Sequence, residues 1–140
     1  MSRFGLFRDS GVAYAIPLQR LFKVLSGECC YLLPKLPPTV AGVVVWEEQL
    51  IPQLDLARLL GGSPEVIKQA DYLVLVASEC GILALPANKT CGIVAEQAGE
   101  LVLATDKKAS GVDGEFHFQG TVFKILDIDS LAIDFTQESW

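Results

Sequence analysis

Two stretches of this chain, seventy-two residues apart, share one register, and that internal repeat limits the fold more than any single residue does. Val40-Ala41-Gly42 is followed after twelve residues by Asp55-Leu56-Ala57-Arg58-Leu59. Val112-Asp113-Gly114 is followed after twelve residues by Asp127-Ile128-Asp129-Ser130-Leu131. Between these anchors Val44 aligns with Phe116, Trp46 with Phe118, Leu50 with Val122 and Leu54 with Leu126. A fainter echo precedes them, Ala15-Ile16-Pro17 against Ala84-Leu85-Pro86. Several matches held in a fixed register indicate a duplicated unit.

Both copies have strand character. In the second, Glu115-Phe116-His117-Phe118 alternates polar and apolar, and Val122-Phe123-Lys124-Ile125-Leu126 comes after it across Gln119-Gly120. That pattern predicts a hairpin, because glycine takes the positive φ of a tight turn without steric cost. The first copy matches it with residues 43–46, a turn near Glu47-Glu48-Gln49, and residues 50–54. Each hairpin leads into D-(L/I)-x-x-L. There Asp55 and Asp127 read as helix N-caps or turn formers; a catalytic pair is disfavoured because they hold equivalent places in separate units.

Residues 72–77 form an unbroken apolar run, the pattern of a strand covered on both faces, and residues 78–81 turn it into residues 82–85. Residues 90–94 and 101–103 supply further short strands. Leu18, Leu21, Phe22 and Leu25 have helical spacing after Pro17, which suits a helix or a single turn before a strand. Pro34-Lys35-Leu36-Pro37-Pro38 is a stiff connector, and Gly61-Gly62-Ser63-Pro64 marks the boundary between copies. The fold class is all-β: two small five-stranded barrels, approximately residues 1–63 and 64–140 of a single 1–140 domain, sharing one hydrophobic seam, with strand exchange between them left open. A unit of about 65 residues is marginal for an independent core, and sharing buried surface remedies that.

Hydrophobic residues make up 51% of the chain and charged residues 20%, which supplies a core and argues against disorder. The apolar runs are far shorter than the roughly 20 residues needed to span a bilayer. Met1-Ser2-Arg3-Phe4 does not begin the long apolar stretch of a signal peptide, so the expected location is the cytoplasm. The formal charge is 11 − 17 = −6 with no basic cluster, which makes nucleic acid and anionic membrane poor partners.

Cys29, Cys30, Cys80 and Cys91 form no C-x-x-C pair, and His117 is remote from them, so they read as reduced small hydrophobes and no metal site is assigned. A Cys80–Cys91 contact across neighbouring strands stays open. No G-x-S-x-G, phosphate loop or H-E-x-x-H occurs, and His117 shares its face with Glu115 and Gln119, as a solvated strand residue would. No catalytic residue or cofactor is assigned; an enzyme would need a cavity lined by Cys80, Cys91 and His117.

The copies differ where the hairpin strands alternate with core positions. Copy two has Glu115, His117 and Gln119 there; copy one has Val43, Val45 and Glu47. The valines either face the other barrel or offer an apolar patch to another protein.

Taken in order, Tyr14-Ala15-Ile16-Pro17-Leu18, Pro34-Lys35-Leu36-Pro37, Val40-Ala41-Gly42-Val43-Val44, Leu50-Ile51-Pro52-Gln53-Leu54-Asp55-Leu56 and Gly120-Thr121-Val122-Phe123-Lys124-Ile125-Leu126-Asp127-Ile128 resemble the CheW-like domain over nearly the whole chain. The resemblance implies two intertwined SH3-like barrels. It also implies a non-enzymatic adaptor linking the cytoplasmic tips of chemoreceptors to the regulatory domain, itself of the same fold, of a CheA-like histidine kinase. The partner-binding surface is then expected at Val43, Val45, Glu47, Glu48, Gln49 and Leu36.

Three departures stand out. Glu47-Glu48 replaces an arginine-glycine pair common at the family's hairpin turn, Lys23 replaces an acidic residue, and Ala87-Asn88 replaces valine-aspartate. A desolvated contact built for arginine would lose about 1–3 kcal/mol against Glu47. These departures open a second reading, a CheW-like module repurposed as a self-associating homo-oligomeric scaffold.

Overall fold

The structure, a computed structural model, describes residues 2–26, 30–32, 34–35, 38–60, 70–103 and 111–136. Cys29, Leu36, Pro37 and the Gly61-Gly62-Ser63-Pro64 boundary lie outside them. The first half runs β1 (Arg3–Asp9), β2 (Val12–Pro17), a 3-10 turn (Leu18–Arg20), β3 (Leu21–Ser26), β4 (Cys30–Tyr31), β5 (Val40–Trp46), β6 (Gln49–Leu54) and α1 (Leu56–Leu59). The second runs β7 (Tyr72–Ser78), β8 (Gly81–Ala87), β9 (Lys89–Ala95), a 3-10 turn (Glu96–Ala98), β10 (Glu100–Leu103), β11 (Val112–Phe118), β12 (Thr121–Leu126) and α2 (Ile128–Thr136). Of the helical spacing at residues 18–25, only the Leu18–Arg20 turn is realised before the chain enters β3.

One sheet has the order β10-β11-β12-β2-β1-β9 and the other β4-β5-β6-β8-β7-β3. Replacing each strand by its counterpart six places along turns one order into the other, so the repeat is an approximate two-fold symmetry. The sheets are also exchanged. Hairpin β1–β2 adds in parallel to β12, with Tyr14 opposite Lys124 and Ala15 opposite Ile125, while β7–β8 adds in parallel to β6, with Ala84 opposite Gln53. Each sheet draws two strands from one half and four from the other. Each holds six strands, one more than expected, with the short edge strands β4 and β10 included.

The repeat extends to the caps. The Asp55 N–H donates to the Thr39 carbonyl (2.7 Å) and the Asp127 N–H to the Gly111 carbonyl (2.9 Å). The Asp55 carboxylate accepts from the Arg58 N–H and the Asp127 carboxylate from the Ser130 N–H, each at 3.2 Å. Both aspartates cap helices, as the sequence suggested, each satisfying an N–H that the first turn leaves without a partner.

Three apolar clusters fill the molecule. Phe4, Leu6, Ala13, Ala15, Phe116, Phe123 and Ile125 belong to the first sheet alone. Leu25, Val44, Ile51, Leu73, Leu75 and Ala84 belong to the second. The third is the seam, where Phe7, Tyr14, Ile16, Val74, Val76, Leu83, Leu85, Leu54 and Leu126 meet with helix residues Leu56, Ile128 and Leu131. Alternation explains the division. In β7, Leu73 and Leu75 point into the sheet's own core while Val74 and Val76 point into the seam. The unbroken run at residues 72–77 is therefore a strand buried on both faces. Gly42 fits the close approach of β4 to β5, for a Cβ there would collide with Cys30 Sγ and lie 2.7 Å from the Tyr31 carbonyl oxygen.

Tyr14 sits in the seam, its ring 5.3 Å from that of Phe7. Burial, and then the carboxylates of Asp9 and Asp55, push its phenol from 10.0 up to about 12. The raised value favours the neutral form when folded, so the native state keeps a proton that the unfolded chain has lost. Stability is expected to be intact below pH 10 and to fall as pH rises through 10 toward 12. Urea unfolding of Tyr14→Phe across that window is expected to lose this part of the slope; an unchanged slope would contradict it.

Candidate protein-interaction surfaces

Hairpin β5–β6 pairs Val43 with Pro52, Val44 with Ile51, Val45 with Leu50 and Trp46 with Gln49, leaving Glu47-Glu48 as a two-residue turn. Both turn residues have positive φ, 47° and 65°, as a type I′ turn requires. The sister hairpin holds Gln119 at 48° and Gly120 at 75°, with glycine at the second position. Glu48 thus keeps a left-handed backbone that its side chain disfavours.

Val44 and Ile51 are fully buried, so alternation turns Val43, Val45, Leu50 and Pro52 to the other face, where Tyr31 opposite Val43 extends the row. Val45 is 46% exposed, Leu50 69%, Tyr31 56% and the adjacent Leu32 75%; Val43 is half-buried. Val45 is open to solvent and not covered by the other sheet. The matching face of β11–β12 carries Glu115, His117, Val122 and Lys124, with His117 Nε2 3.4 Å from Glu115 Oε1. The first hairpin thus presents an apolar face and the second a mixed one, its charged residues flanked by exposed Val122 and by Val102 and Leu103 of β10.

The acidic tip closes this apolar face. Gln49 is exposed beside it, and Trp46 turns inward against the sheet's own core. The Phe22 ring stands edge-on to Trp46 at 5.5 Å, and Lys23 Nζ lies 5.3 Å from the Trp46 ring centroid. Val43, Val45, Glu47, Glu48 and Gln49 therefore cluster on one hairpin. Leu36 lies outside the described residues. Sequence reasoning missed Leu50, Tyr31 and Leu32. Leu50 was within reach, since a two-residue turn puts it opposite Val45; the others depend on the pairing of β4, which no local pattern specifies.

A second feature lies where the exchanged hairpins meet. A groove of about 120 Å³ opens between β1 and β9 of one sheet and β3 and β7 of the other. Leu6, Phe7, Ile16, Leu21, Val74 and Thr90 line it, with Val24 and Ile93 at the rim, 42% and 57% exposed. Val24 and Ile93 are 69 residues apart, the same offset as Ala15 and Ala84, so the groove lies on the approximate two-fold axis. Its lining is apolar but for Thr90 and backbone, and it contains none of Cys80, Cys91 or His117.

Cys30, Cys80 and Cys91 are free thiols, and burial pushes the Cys30 thiol upward, away from the reactive thiolate. Among the described residues no three His, Cys, Asp or Glu side chains are grouped to hold a metal. Asp113 is raised, by burial and then by the charge of Asp127, the helix cap beside it. These groups serve the frame, and the apolar hairpin face and the groove are surfaces suited to docking.

The class so defined is a β-rich docking module. The family model of the CheW-like domain matches residues 3–134, and the chain belongs to that family. A crystal structure of the scaffolding protein TtCheW from Thermoanaerobacter tengcongensis superposes with a TM-score of 0.76 at 14% identity, covering 93% of this chain and 91% of that one. No curated protein sequence matches the chain. The fold is the mostly β, SH3-like arrangement of that family, and the protein is a chemotaxis-type scaffold or adaptor, not an enzyme.

Relieving the left-handed backbone at Glu48 is expected to stabilise the protein. Glu48→Gly should gain about 0.5–1 kcal/mol, the αL penalty less the added freedom of glycine when unfolded. Urea denaturation measures it, and a loss of stability would contradict the strain at this turn.

Proposed function

We propose that this chain couples chemoreceptors to a histidine kinase by presenting two apolar surfaces at once. The β4–β5–β6 face, centred on Val45 and Leu50 and edged by Glu47, Glu48 and Gln49, binds the kinase regulatory domain. The groove between the exchanged hairpins takes the helical cytoplasmic tip of a receptor. The observation that carries this reading is the exposed Val45–Leu50 pair on a hairpin whose other face buries Val44 and Ile51 in the core. Solvent-facing apolar pairs of this kind mark contact with another protein. The groove supports the second half of the reading, because an apolar trough with exposed aliphatic rims suits the apolar stripe of a helix. Among the described residues no helix is long and apolar enough to cross a membrane, and the proposed location is the cytoplasm, beside those partners.

The two contacts are separable. With the cognate kinase regulatory domain as partner, Val45→Glu is expected to weaken capture at least about tenfold, or about 1.4 kcal/mol, by burying a charge in an apolar contact. Capture unchanged by Val45→Glu would remove the hairpin face from the reading. Ile93→Glu, at the groove rim, is expected to weaken binding of a receptor-tip peptide by a similar factor while leaving kinase-domain capture intact. Loss of both together would show that the surfaces are not independent.

The acidic tip favours a second reading. Glu47-Glu48 stands where the family commonly carries arginine-glycine, so the hairpin face is also suited to a self-associating scaffold that has dropped the kinase. Sedimentation velocity with and without kinase regulatory domain separates the two: an oligomer that captures no kinase domain supports the second. Under the first reading, Glu47→Arg with Glu48→Arg is expected to change the association rate and its salt dependence. No change in either binding or assembly would take the two glutamates out of the contact.

A further inference from the structure

The chain passes from the first sheet to the second at Arg20, the last residue of the 3-10 turn between β2 and β3. Its guanidinium makes three hydrogen bonds to two partners. One nitrogen donates to Asp129 Oδ1 (3.2 Å) and to the Ala77 carbonyl oxygen (3.3 Å), and the other closes a bidentate pair on Asp129 Oδ2. Asp129 Oδ1 also accepts from the Glu79 N–H at 3.0 Å. Asp129 lies in the first turn of α2, and α2 packs on β7. A single carboxylate thus joins the C-terminal helix, the β7–β8 turn and the crossover between sheets.

Immediately past Arg20 the chain becomes part of the groove wall. Leu21 lines the groove and pairs with Val76, the residue before Ala77, and the ladder slips just beyond, between Leu21 and Lys23. At such a bulge the backbone ladder is locally disrupted, so side-chain contacts nearby have more say in where the strand lies. The sister crossover lacks the device. Offsets of 69 and 72 residues put Lys89 in place of Arg20 and Ala57 in place of Asp129, and there the Ser10 N–H is held by Asn88 Oδ1 at 2.6 Å. The α1 helix beside it stops after four residues. The unit therefore folds without this ion pair, and its presence on one side calls for another reason.

We infer that Arg20 and Asp129 are positioning residues that hold Leu21 in the groove wall while helix α2 is docked, so that displacement of α2 lowers the groove's affinity for its ligand. The inference rests on the reading of the groove as the receptor-tip site. The pair is bidentate and charge-assisted, which gives it geometric control. Its side chains are 36% and 24% exposed, so water and salt reach it and the contact is reversible.

The test uses the full chain with labelled Leu and Val methyls. Asp129→Asn, Asp129→Ala and the swap Arg20→Asp with Asp129→Arg are compared by the methyl resonances of Leu21 and Val74. They are also compared by affinity for a helical-hairpin peptide carrying a chemoreceptor tip sequence. The expected result is that both single variants shift the Leu21 and Val74 methyls and that Asp129→Ala weakens the peptide about fivefold. The swap restores the ion pair but neither the Ala77 nor the Glu79 hydrogen bond, so it recovers both readouts in part, and Ile51→Val, a core truncation that only lowers stability, changes neither.

Unmoved Leu21 methyls in Asp129→Ala, or equal movement in Ile51→Val, would overturn the inference. If Asp129→Ala does not fold, a titration of the unmodified chain from ~0.05 to ~1 M NaCl replaces it: movement of Leu21 with release of α2 amide protection supports the coupling, and no movement overturns it. Methyl shifts as expected with no peptide bound by any form would count against the receptor-tip reading and leave the coupling of α2 to the groove standing.

Discussion

The apolar seam between the sheets is the contact on which the rest of the structure depends. Phe7, Tyr14 and Ile16 from the first half meet Val74, Val76, Leu83 and Leu85 from the second, and both capped helices close over them. Four strands, β1, β2, β7 and β8, are buried on both faces because each also fills the core of its own sheet. A half of about 65 residues is marginal for a core of its own, because a shorter chain buries a smaller fraction of its surface. Exchange of the hairpins makes the seam obligatory: removing either hairpin takes the centre out of a sheet and one wall out of the seam.

A duplicated frame tied together in this way leaves each copy free to diverge on its outer face. The second copy keeps Glu115, His117 and Lys124 in water beside Val122 and Val102, while the first carries Val43, Val45, Leu50 and Tyr31 in the equivalent row. The turns diverge as well, Gln119-Gly120 against Glu47-Glu48, both in left-handed backbone. Holding two glutamates there opposes the local preference of the chain. Departures from local preference gather where a surface is used, which agrees with a docking role for this hairpin.

Much of the frame was legible in the sequence, for identifiable reasons. The Asp55 and Asp127 caps and the two hairpins are local devices, so their residue types announce them. The run at residues 72–77 betrays a doubly covered strand by its lack of alternation. Intertwining and strand exchange were expected from the family resemblance, but which hairpins exchange was not legible in the residues, because parallel pairing of Tyr14 with Lys124 joins residues more than a hundred positions apart with no turn to mark it. The groove was hidden for the same reason: its walls come from five strands of two sheets. The Arg20–Asp129 pair spans 109 residues, and nothing near either side chain distinguishes it from an ordinary surface charge. At the candidate hairpin face, Val45 and the two glutamates could be named in advance, whereas Leu50 required the turn length and Tyr31 the pairing of β4.

The exchanged topology also governs how the molecule comes into being. During synthesis β3 to β6 emerge complete, yet their sheet lacks its central pair until β7 and β8 have been made, and β1–β2 must wait longer still for β12. Throughout that interval β6 and the first hairpin expose unpaired edges and apolar faces to other nascent chains. Closure depends on contacts between distant parts of the polypeptide, which makes for slow folding and a single late, cooperative step. A nascent first half therefore carries strand edges and apolar faces that only the second half can cover.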